Sequence, residues 1–343
     1  MRTPPPSRRQ QRGVALIIAL VLVALATILA TKLSFDGWLE QRRTTAVIAA
    51  EQAVHFGYGA EALAADVLGQ TAQSGTSTTA QVTLAQPWAQ ATQPLPLTPE
   101  NDAEGEPIGT LQAGLEDMMG RFNLNNLAVV TTDNGGGANP ANANAQPIPD
   151  PKPFEQFQRL LVLAGLDAKW AGMARDWIDA NDVPGTPDGA EDQVYTSQTP
   201  PYRTGNWPMT SPTELMNLPG FTADMYRKIA PYVTALPVPT PINTCTAPAL
   251  VLESLWEGGN GEYTPELLAS SRKTGCFPDN KTLVNTMGGA AVAAKAPPIK
   301  ETSTYFRLTT RVTLGTTEFT LYSLLNVGNG GKVTPLLRTF GTL

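Results

Sequence analysis

The hydrophobic positions near the start of the chain form one continuous helical pattern. Residues 14–30 carry no charge and a single hydroxyl group, that of Thr27. Apolar residues then continue at a spacing of three to four through residue 68, with charged residues between them. The pattern predicts one long helix that is apolar over residues 14–32 and amphipathic over residues 33–70.

The apolar part of this helix is long enough to cross a bilayer. About 17 to 25 residues span the hydrocarbon core, and Lys32 can extend its amine to the interface. Arg8, Arg9 and Arg12 precede the span, so the N-terminus is expected in the cytoplasm and the rest outside. The alternative is a secretory signal peptide, whose apolar core is usually only about 7 to 15 residues long.

The remaining chain divides into three parts by pattern. Residues 71–150 combine a polar, Pro-rich stretch with short strand patterns, and end in a Gly- and Asn-rich run at 131–150 that predicts a flexible loop. Residues 151–236 are helical in pattern and predict an inserted all-helical domain. Residues 237–343 return to mixed structure and end in two alternating segments around Gly315, which predict a hairpin.

The predicted fold class is therefore α+β, with a long N-terminal helix, an antiparallel sheet split in sequence and a helical insertion. Within the insertion, Ser211 and Glu214 have the spacing of a capping box at a helix start. Trp88, in the polar stretch, is expected to pack onto the long helix. Short helices are expected between residue 237 and the hairpin.

Composition narrows the chemistry. The net charge is −6, and without the four arginines of the first 13 residues the chain is more acidic still, which disfavours nucleic acid as a partner. One histidine and two cysteines cannot make a Cys/His zinc site. Cys245 and Cys276 both lie on the outer side of the membrane, where disulfides persist, and are predicted to pair. His55 has no catalytic motif around it, so we expect no enzyme.

The N-terminus resembles the processing signal of type IV pilins and pseudopilins, because RRQQRG is followed directly by VALIIALVLVALA. The resemblance implies that prepilin peptidase removes the leader, residues 1–13, between Gly13 and Val14, and methylates the amine of Val14. Most pilins carry Glu at the fifth mature position, where this chain has Ile18. A carboxylate in lipid is costly unless it is paired, and protein K of type II secretion systems is the family that lacks it.

Further motifs resemble the same family, notably GRFNLNNL at 120–127 and STYF at 303–306. The resemblance implies a pseudopilin fold and a non-enzymatic minor pseudopilin at the tip of a type II secretion pseudopilus. It implies an inner-membrane anchor with the C-terminal domain in the periplasm. The implied partners are other minor pseudopilins in a quasi-helical tip complex and, through them, the major pseudopilin. The alternative is a minor pilin of a type IV pilus.

An acidic run, DWIDANDVPGTPDGAED, occupies residues 176–192 and contains six carboxylates without a basic residue. Calcium binds six to eight oxygens at flexible geometry, which an irregular loop can supply; a solvated acidic loop is the alternative. No EF-hand register fits, since Pro184 stands where such a loop needs Gly.

The resemblance extends to this run through a pattern of DWID, GAED, Tyr195, PPY at 200–202 and Asn206, and it implies calcium as a cofactor. Asn181 stands where the family has a second Asp. The expected ligands are Asp179, Asn181, Asp182, Asp188, Glu191, Asp192 and Asn206.

Overall fold

The computed structural model describes residues 12–74, 81–90, 92–98, 105–129, 150–259 and 261–341. The leader through residue 11 and the predicted loop at 131–149 lie outside the described residues. The first helix, α1, runs without interruption from Arg12–Ser74, as the hydrophobic pattern predicts.

The described elements after α1 are helices of up to 13 residues and strands of up to 11 residues. The α-helices are α2 (Pro151–Leu163), α3 (Trp170–Ile178), α4 (Asp192–Thr196), α5 (Ala223–Ile229), α6 (Ala249–Glu253), α7 (Pro265–Ser271), α8 (Asn280–Thr286) and α9 (Ala290–Ala293). The strands are β1 (Leu95–Leu97), β2 (Gly109–Asp117), β3 (Phe122–Asn123), β4 (Val233–Thr234), β5 (Ile242–Asn243), β6 (Ile299–Lys300), β7 (Tyr305–Leu314), β8 (Thr317–Val327) and β9 (Val333–Phe340). Short 3-10 helices cover Pro87–Ala89, Met118–Gly120, Leu124–Ala128, Pro212–Asn217, Ala230–Tyr232 and Asn329–Gly331.

The N-terminal part of α1 has the length and composition of a membrane span. Its polar side chains are satisfied within the helix: Thr27 donates to the carbonyl of Val23 at 2.8 Å, and Thr31 donates to that of Thr27 at 2.7 Å. Hydroxyls bonded in this way need no water, which suits a hydrocarbon environment.

A five-stranded antiparallel sheet with the order β1-β2-β7-β8-β9 packs against the second half of α1. The predicted hairpin is β7 and β8, joined at Gly315 with φ +56°. The strands expected before residue 130 are β2 and the two-residue β3, with the 3-10 helix Met118–Gly120 between them. The sequence pattern does not predict β1 or β9.

Small residues let α1 approach the sheet closely. Ala53, Ala60 and Ala64 are buried along one face of the helix. A Cβ at Gly57 would meet the side chains of Leu321 and Phe319 at 3.3 Å, so the helix backbone lies close against these two side chains. At the end of this face Trp88 joins the helix-sheet core, as expected, and packs edge-on against Phe306.

A polar clamp fixes the last strand to the same helix. Glu61 on α1 is buried, and its carboxylate accepts two hydrogen bonds from Arg338 of β9 at 2.7 and 2.9 Å. Ser323 of β8 donates to the same carboxylate at 2.5 Å. The pKa of Glu61 lies below its usual value, chiefly because of the hydrogen bond from Arg338.

The chain between β2 and β7, residues 118–304, leaves the sheet and forms what we call the helical unit. Its hydrophobic core runs from Phe122 to Ala296. The core therefore extends past residue 236, where the sequence pattern placed the end of the insertion. The short helices expected after residue 237 are α6, α7 and α8, and they belong to this core.

The motif GRFNLNNL lies directly after β2, at the start of the helical unit. Phe122 pairs in parallel with Val233 inside the helical unit, and a 3-10 helix follows. The reason is that asparagine side chains take the place of ladder bonds: Asn125 donates to the carbonyls of Met209 and Leu236 at 2.9 and 2.8 Å. These bonds fix the motif to the last part of the predicted insertion.

Cys245 and Cys276 form a disulfide, as predicted. Arg272 is buried beside it and donates to the carbonyls of Thr244 and Phe277 at 2.9 and 2.6 Å. Burial lowers the pKa of Arg272 to about 10. The disulfide and the Arg272 guanidinium together join the chain just before α6 to the chain between α7 and α8.

We predict that Glu61→Gln destabilises the protein by about 1 to 3 kcal/mol at pH 7, because it removes charged hydrogen bonds. The carboxylate's contribution is present above the ordinary Glu pKa of about 4.3 and is lost as the pH falls through the lowered folded-state value. The variant should therefore differ less from the parent near pH 3 than at pH 7.

Thermal unfolding of the full-length protein in detergent micelles measures the effect. Glu51→Gln, at an exposed position of the same helix, is the matched control and should be near neutral. Equal losses in the two variants would contradict a specific clamp.

Candidate metal centre

Helix α3 carries the first two acids of the cluster. Asp176 is fully buried, and Asp179 follows directly after the helix end at Ile178. Trp177 and Ile178, buried between them, anchor this end of α3 in the core of the helical unit. The spacing of three places the two carboxylates on the same side of the chain.

A glycine-rich loop folds over Asp176. The backbone N–H of Gly185 donates to Asp176 Oδ2 at 2.8 Å, and the N–H of Gly189 donates to the carbonyl of Gly185 at 2.8 Å. A Cβ on either glycine would collide with the Asp176 carboxylate. The loop can therefore approach this acid only because both positions lack side chains.

Three acids meet beneath this loop. One carboxylate oxygen from each of Asp176, Asp179 and Glu191 lies within 4.8 Å of the others. Burial, followed by repulsion from Asp176 and Asp179, raises the pKa of Glu191 to about 7. Burial likewise raises the pKa values of Asp176 and Asp179. The folded chain thus holds negative groups together at an electrostatic cost.

Several oxygens at this place are buried without a hydrogen-bond partner within the described part of the chain. They are both carboxylate oxygens of Glu191, Oδ1 of Asp176, Oδ1 of Asn206 and the hydroxyl of Tyr195. The cationic contact of Asp176 is Arg175, whose Nε lies 3.7 Å from Oδ1. Buried polar atoms are normally satisfied, so this concentration of unpaired oxygens suits the binding of a cation.

A second loop brings Asn206 to the cluster. Its N–H donates to the carbonyl of Trp177 at 3.0 Å, and its Nδ2 donates to Asp182 Oδ1 at 3.0 Å. Its φ of +44° is in the left-handed region, which Asn tolerates better than most residues. Two loops far apart in sequence are thereby closed onto each other.

The other predicted ligands lie around the cluster in different roles. Asn181 is exposed and accepts from the N–H of Val183 at 2.8 Å, which shapes the turn. Asp188 is exposed with φ +59°. Asp192 accepts from the N–H and hydroxyl of Thr204, each at 3.1 Å, and lies 3.4 Å from Arg203.

The expected ligands therefore do not all lie in the cluster. Asp179 and Glu191 meet in the cluster, and Asp182 contacts it through Asn206. Asp176 completes the cluster but was not among the expected ligands, although it lies in the acidic run. Its complete burial on α3, which the acidic pattern alone does not show, places it at the cluster.

The donor set is made of oxygen atoms alone. Carboxylate, amide and backbone oxygens on irregular loops suit a hard cation such as Ca²⁺, whereas zinc sites usually include nitrogen or sulfur. Asp176, Asp179 and Glu191 would hold such an ion, and Asn206 Oδ1 is an unpaired neutral oxygen that the second loop supplies. A cation bound there would neutralise the buried carboxylates. The described residues of the cluster include no nucleophile–base pair.

Comparison with known proteins gives consistent matches. Residues 120–238 match the family model of type II secretion system (T2SS), protein K. Type II secretion system protein K of Pseudomonas aeruginosa is 31% identical over 340 residues, covering 97% of this chain and 94% of that protein. Its counterpart in Aeromonas hydrophila is 30% identical and covers 98% and 99%.

A solved structure shares the fold. It is the GspK-GspI-GspJ complex from the type 2 secretion system of enterotoxigenic Escherichia coli. The matched chain superposes with a TM-score of 0.70 at 24% identity, over 88% of this chain and 100% of that one. At this identity the likeness establishes the architecture alone.

Proposed function

Because the chain belongs to the family of type II secretion system protein K, we propose that it is the minor pseudopilin at the tip of the secretion pseudopilus, where it starts assembly and supports export. A type II secretion minor pseudopilin is a structural component, so the work of the chain lies in its contacts rather than in catalysis. Its C-terminal domain would lie in the periplasm.

The long helix supplies the surface for partner subunits. The flanks of α1 beside the sheet expose apolar side chains within its amphipathic half: Tyr58 is 38% exposed, Leu63 65% and Val67 36%. Exposed apolar side chains on a helix favour packing against another helix. The related Escherichia coli protein is in a complex with GspI and GspJ, and we propose the corresponding minor pseudopilins, and through them the major pseudopilin, as partners here.

Two features favour the tip over the shaft. The helical unit adds residues 118–304 to the pseudopilin sheet, which is too bulky to repeat around a shaft of helices packed about 8–10 Å apart. Ile18 stands where a paired Glu is expected in subunits that have a neighbour above them. A terminal subunit is free of both constraints.

We expect gold-labelled antibody against this chain to mark a single end of sheared pseudopili. The reason is that the helical unit blocks stacking of a further subunit above it. Antibody against the major pseudopilin, as control, should mark the whole shaft. Label from this chain spread along the shaft would contradict the tip assignment.

We further propose that α1 anchors the chain in the inner membrane after prepilin peptidase cuts between Gly13 and Val14. The mass of the protein extracted from membranes should correspond to a chain starting at methylated Val14. Gly13→Leu should retain the leader, because the peptidase needs close approach to the backbone at this position. A mature chain starting near Thr31 would indicate an ordinary signal peptide instead.

Calcium is the proposed cofactor of the acidic cluster. The observation that supports it is the group of unpaired buried oxygens around Asp176, Asp179 and Glu191. When bound, the ion would neutralise these carboxylates. The residues themselves close the loop at 185–190 and the loop at 203–206 over α3, and so hold the outer part of the helical unit in one conformation.

We predict that calcium raises the melting midpoint of the full-length protein in detergent micelles relative to chelator. At a hundredfold excess over Kd the stabilisation is about 2.7 kcal/mol, or roughly 5 °C for a domain of this size. Glu191→Gln should abolish the rise, yet melt at or above the parent in chelator, because it removes a buried repulsion.

The controls separate a specific site from general screening of charge. Glu106→Gln, at an exposed position outside the cluster, should keep the full response to calcium. Equal melting midpoints of the parent with calcium and with chelator would contradict the calcium site and indicate a solvated acidic loop.

A further inference from the structure

A groove of about 480 Å³ lies between the sheet and the helical unit, on the side of the sheet that faces away from α1. We call it the junction groove. One wall is apolar and comes from Tyr322 and Leu324 of β8 and Leu337 of β9. The opposite wall is formed by Ser211 and its neighbours before the 3-10 helix Pro212–Asn217. Its volume falls within the range of about 300–1,000 Å³ typical of ligand sites.

The charged end of the groove has more positive than negative charge. Arg121 and Arg307 both line it, and both form ion pairs with the same carboxylate, that of Glu116. Arg307 Nη2 lies 2.6 Å from Glu116 Oε2. Burial acts to raise the pKa of Glu116, but the two guanidiniums lower it. One ionised carboxylate therefore faces two guanidiniums.

The guanidiniums also have unused hydrogen-bonding capacity. Arg307 Nε is buried and has no hydrogen-bond partner among the residues that the structure describes. Arg121 is fixed by donating to the carbonyl of Ala230 at 3.1 Å. No described acidic residue lines the groove itself. The protein has a net charge of −6, so this local excess of positive charge is opposite in sign to the molecule as a whole.

We propose that the junction groove binds an extended peptide segment of a partner protein that carries a Glu or Asp side chain between apolar residues. The carboxylate would bind Arg121 and Arg307, whose planar donors match carboxylate geometry. The apolar neighbours would pack on Tyr322, Leu324 and Leu337. This site is separate from the acidic cluster and does not depend on calcium.

The neighbouring strand explains why a peptide fits better than a free anion. Strand β9 is the last strand of the sheet, so within the described strands its outer edge has no partner. Leu337 of this strand lines the groove and is 49% exposed. Free backbone donors and acceptors beside an apolar surface are the features that recruit an extended chain.

The test uses a blocked pentapeptide, Ser-Leu-Glu-Leu-Ser, and its Gln counterpart as probes. Ligand-detected NMR titration measures their binding to the full-length protein in detergent micelles. The Glu peptide should bind about tenfold more tightly than the Gln peptide, because only the carboxylate can pair with the guanidiniums. Equal binding of the two peptides would overturn the proposal.

Three substitutions locate the site. Leu337→Asp places a negative charge on the groove wall and should weaken the Glu peptide about tenfold, whereas Leu336→Asp, equally exposed but outside the groove, should leave binding unchanged. Glu116→Gln removes the internal competitor and should tighten binding by about threefold or more. Damage to the fold would instead weaken binding, so weaker binding by Glu116→Gln, or equal effects at 336 and 337, refutes the assignment.

Discussion

The architecture depends on one constraint: a segment of the chain as long as a domain must leave the sheet and return to it at the same point. Strand β2 ends at Asp117, and this residue is paired with Phe306 of β7. Asp117 is buried there and accepts hydrogen bonds from Met119 N–H, Asn243 Nδ2, Thr246 Oγ1 and Ser303 Oγ at 2.6–2.9 Å. Burial raises the pKa of Asp117, so these donors are what make the charge tolerable at the base of the helical unit.

This junction separates two structural tasks. On one side α1 and the sheet form the pseudopilin part, held by small residues and by the Glu61–Arg338 clamp. On the other side the helical unit carries the acidic cluster. Glu214 connects the cluster to the junction groove. Trp177 Nε1 donates to its Oε2 at 3.1 Å, and the N–H of Thr210, which lines the groove, donates to its Oε1 at 2.7 Å. The two proposed sites are thus neighbours through one carboxylate.

Sequence patterns predicted the elements that depend on residues close together in the chain. The unbroken apolar spacing gave α1, and strict alternation gave the hairpin of β7 and β8. Strand β9 was not predicted, because Pro335 interrupts its alternation of apolar and polar residues and its pairing with β8 shifts register at Leu324 and Leu325. The helices that follow residue 236 are too short for a clear period, and their packing on the core of the helical unit depends on long-range contacts. For the cluster, the acidic run identified the region, but long-range loop closure decides which acids meet.

We propose that a calcium ion holds the loops of the helical unit over α3, while the sheet beneath is independent of the ion. Hydrogen–deuterium exchange of the full-length protein in detergent micelles, compared in calcium and in chelator, tests this directly. The account predicts faster exchange in chelator across residues 176–206, with β2, β7 and β8 unchanged. No change at 176–206, or a change that spreads equally into the sheet strands, would contradict it.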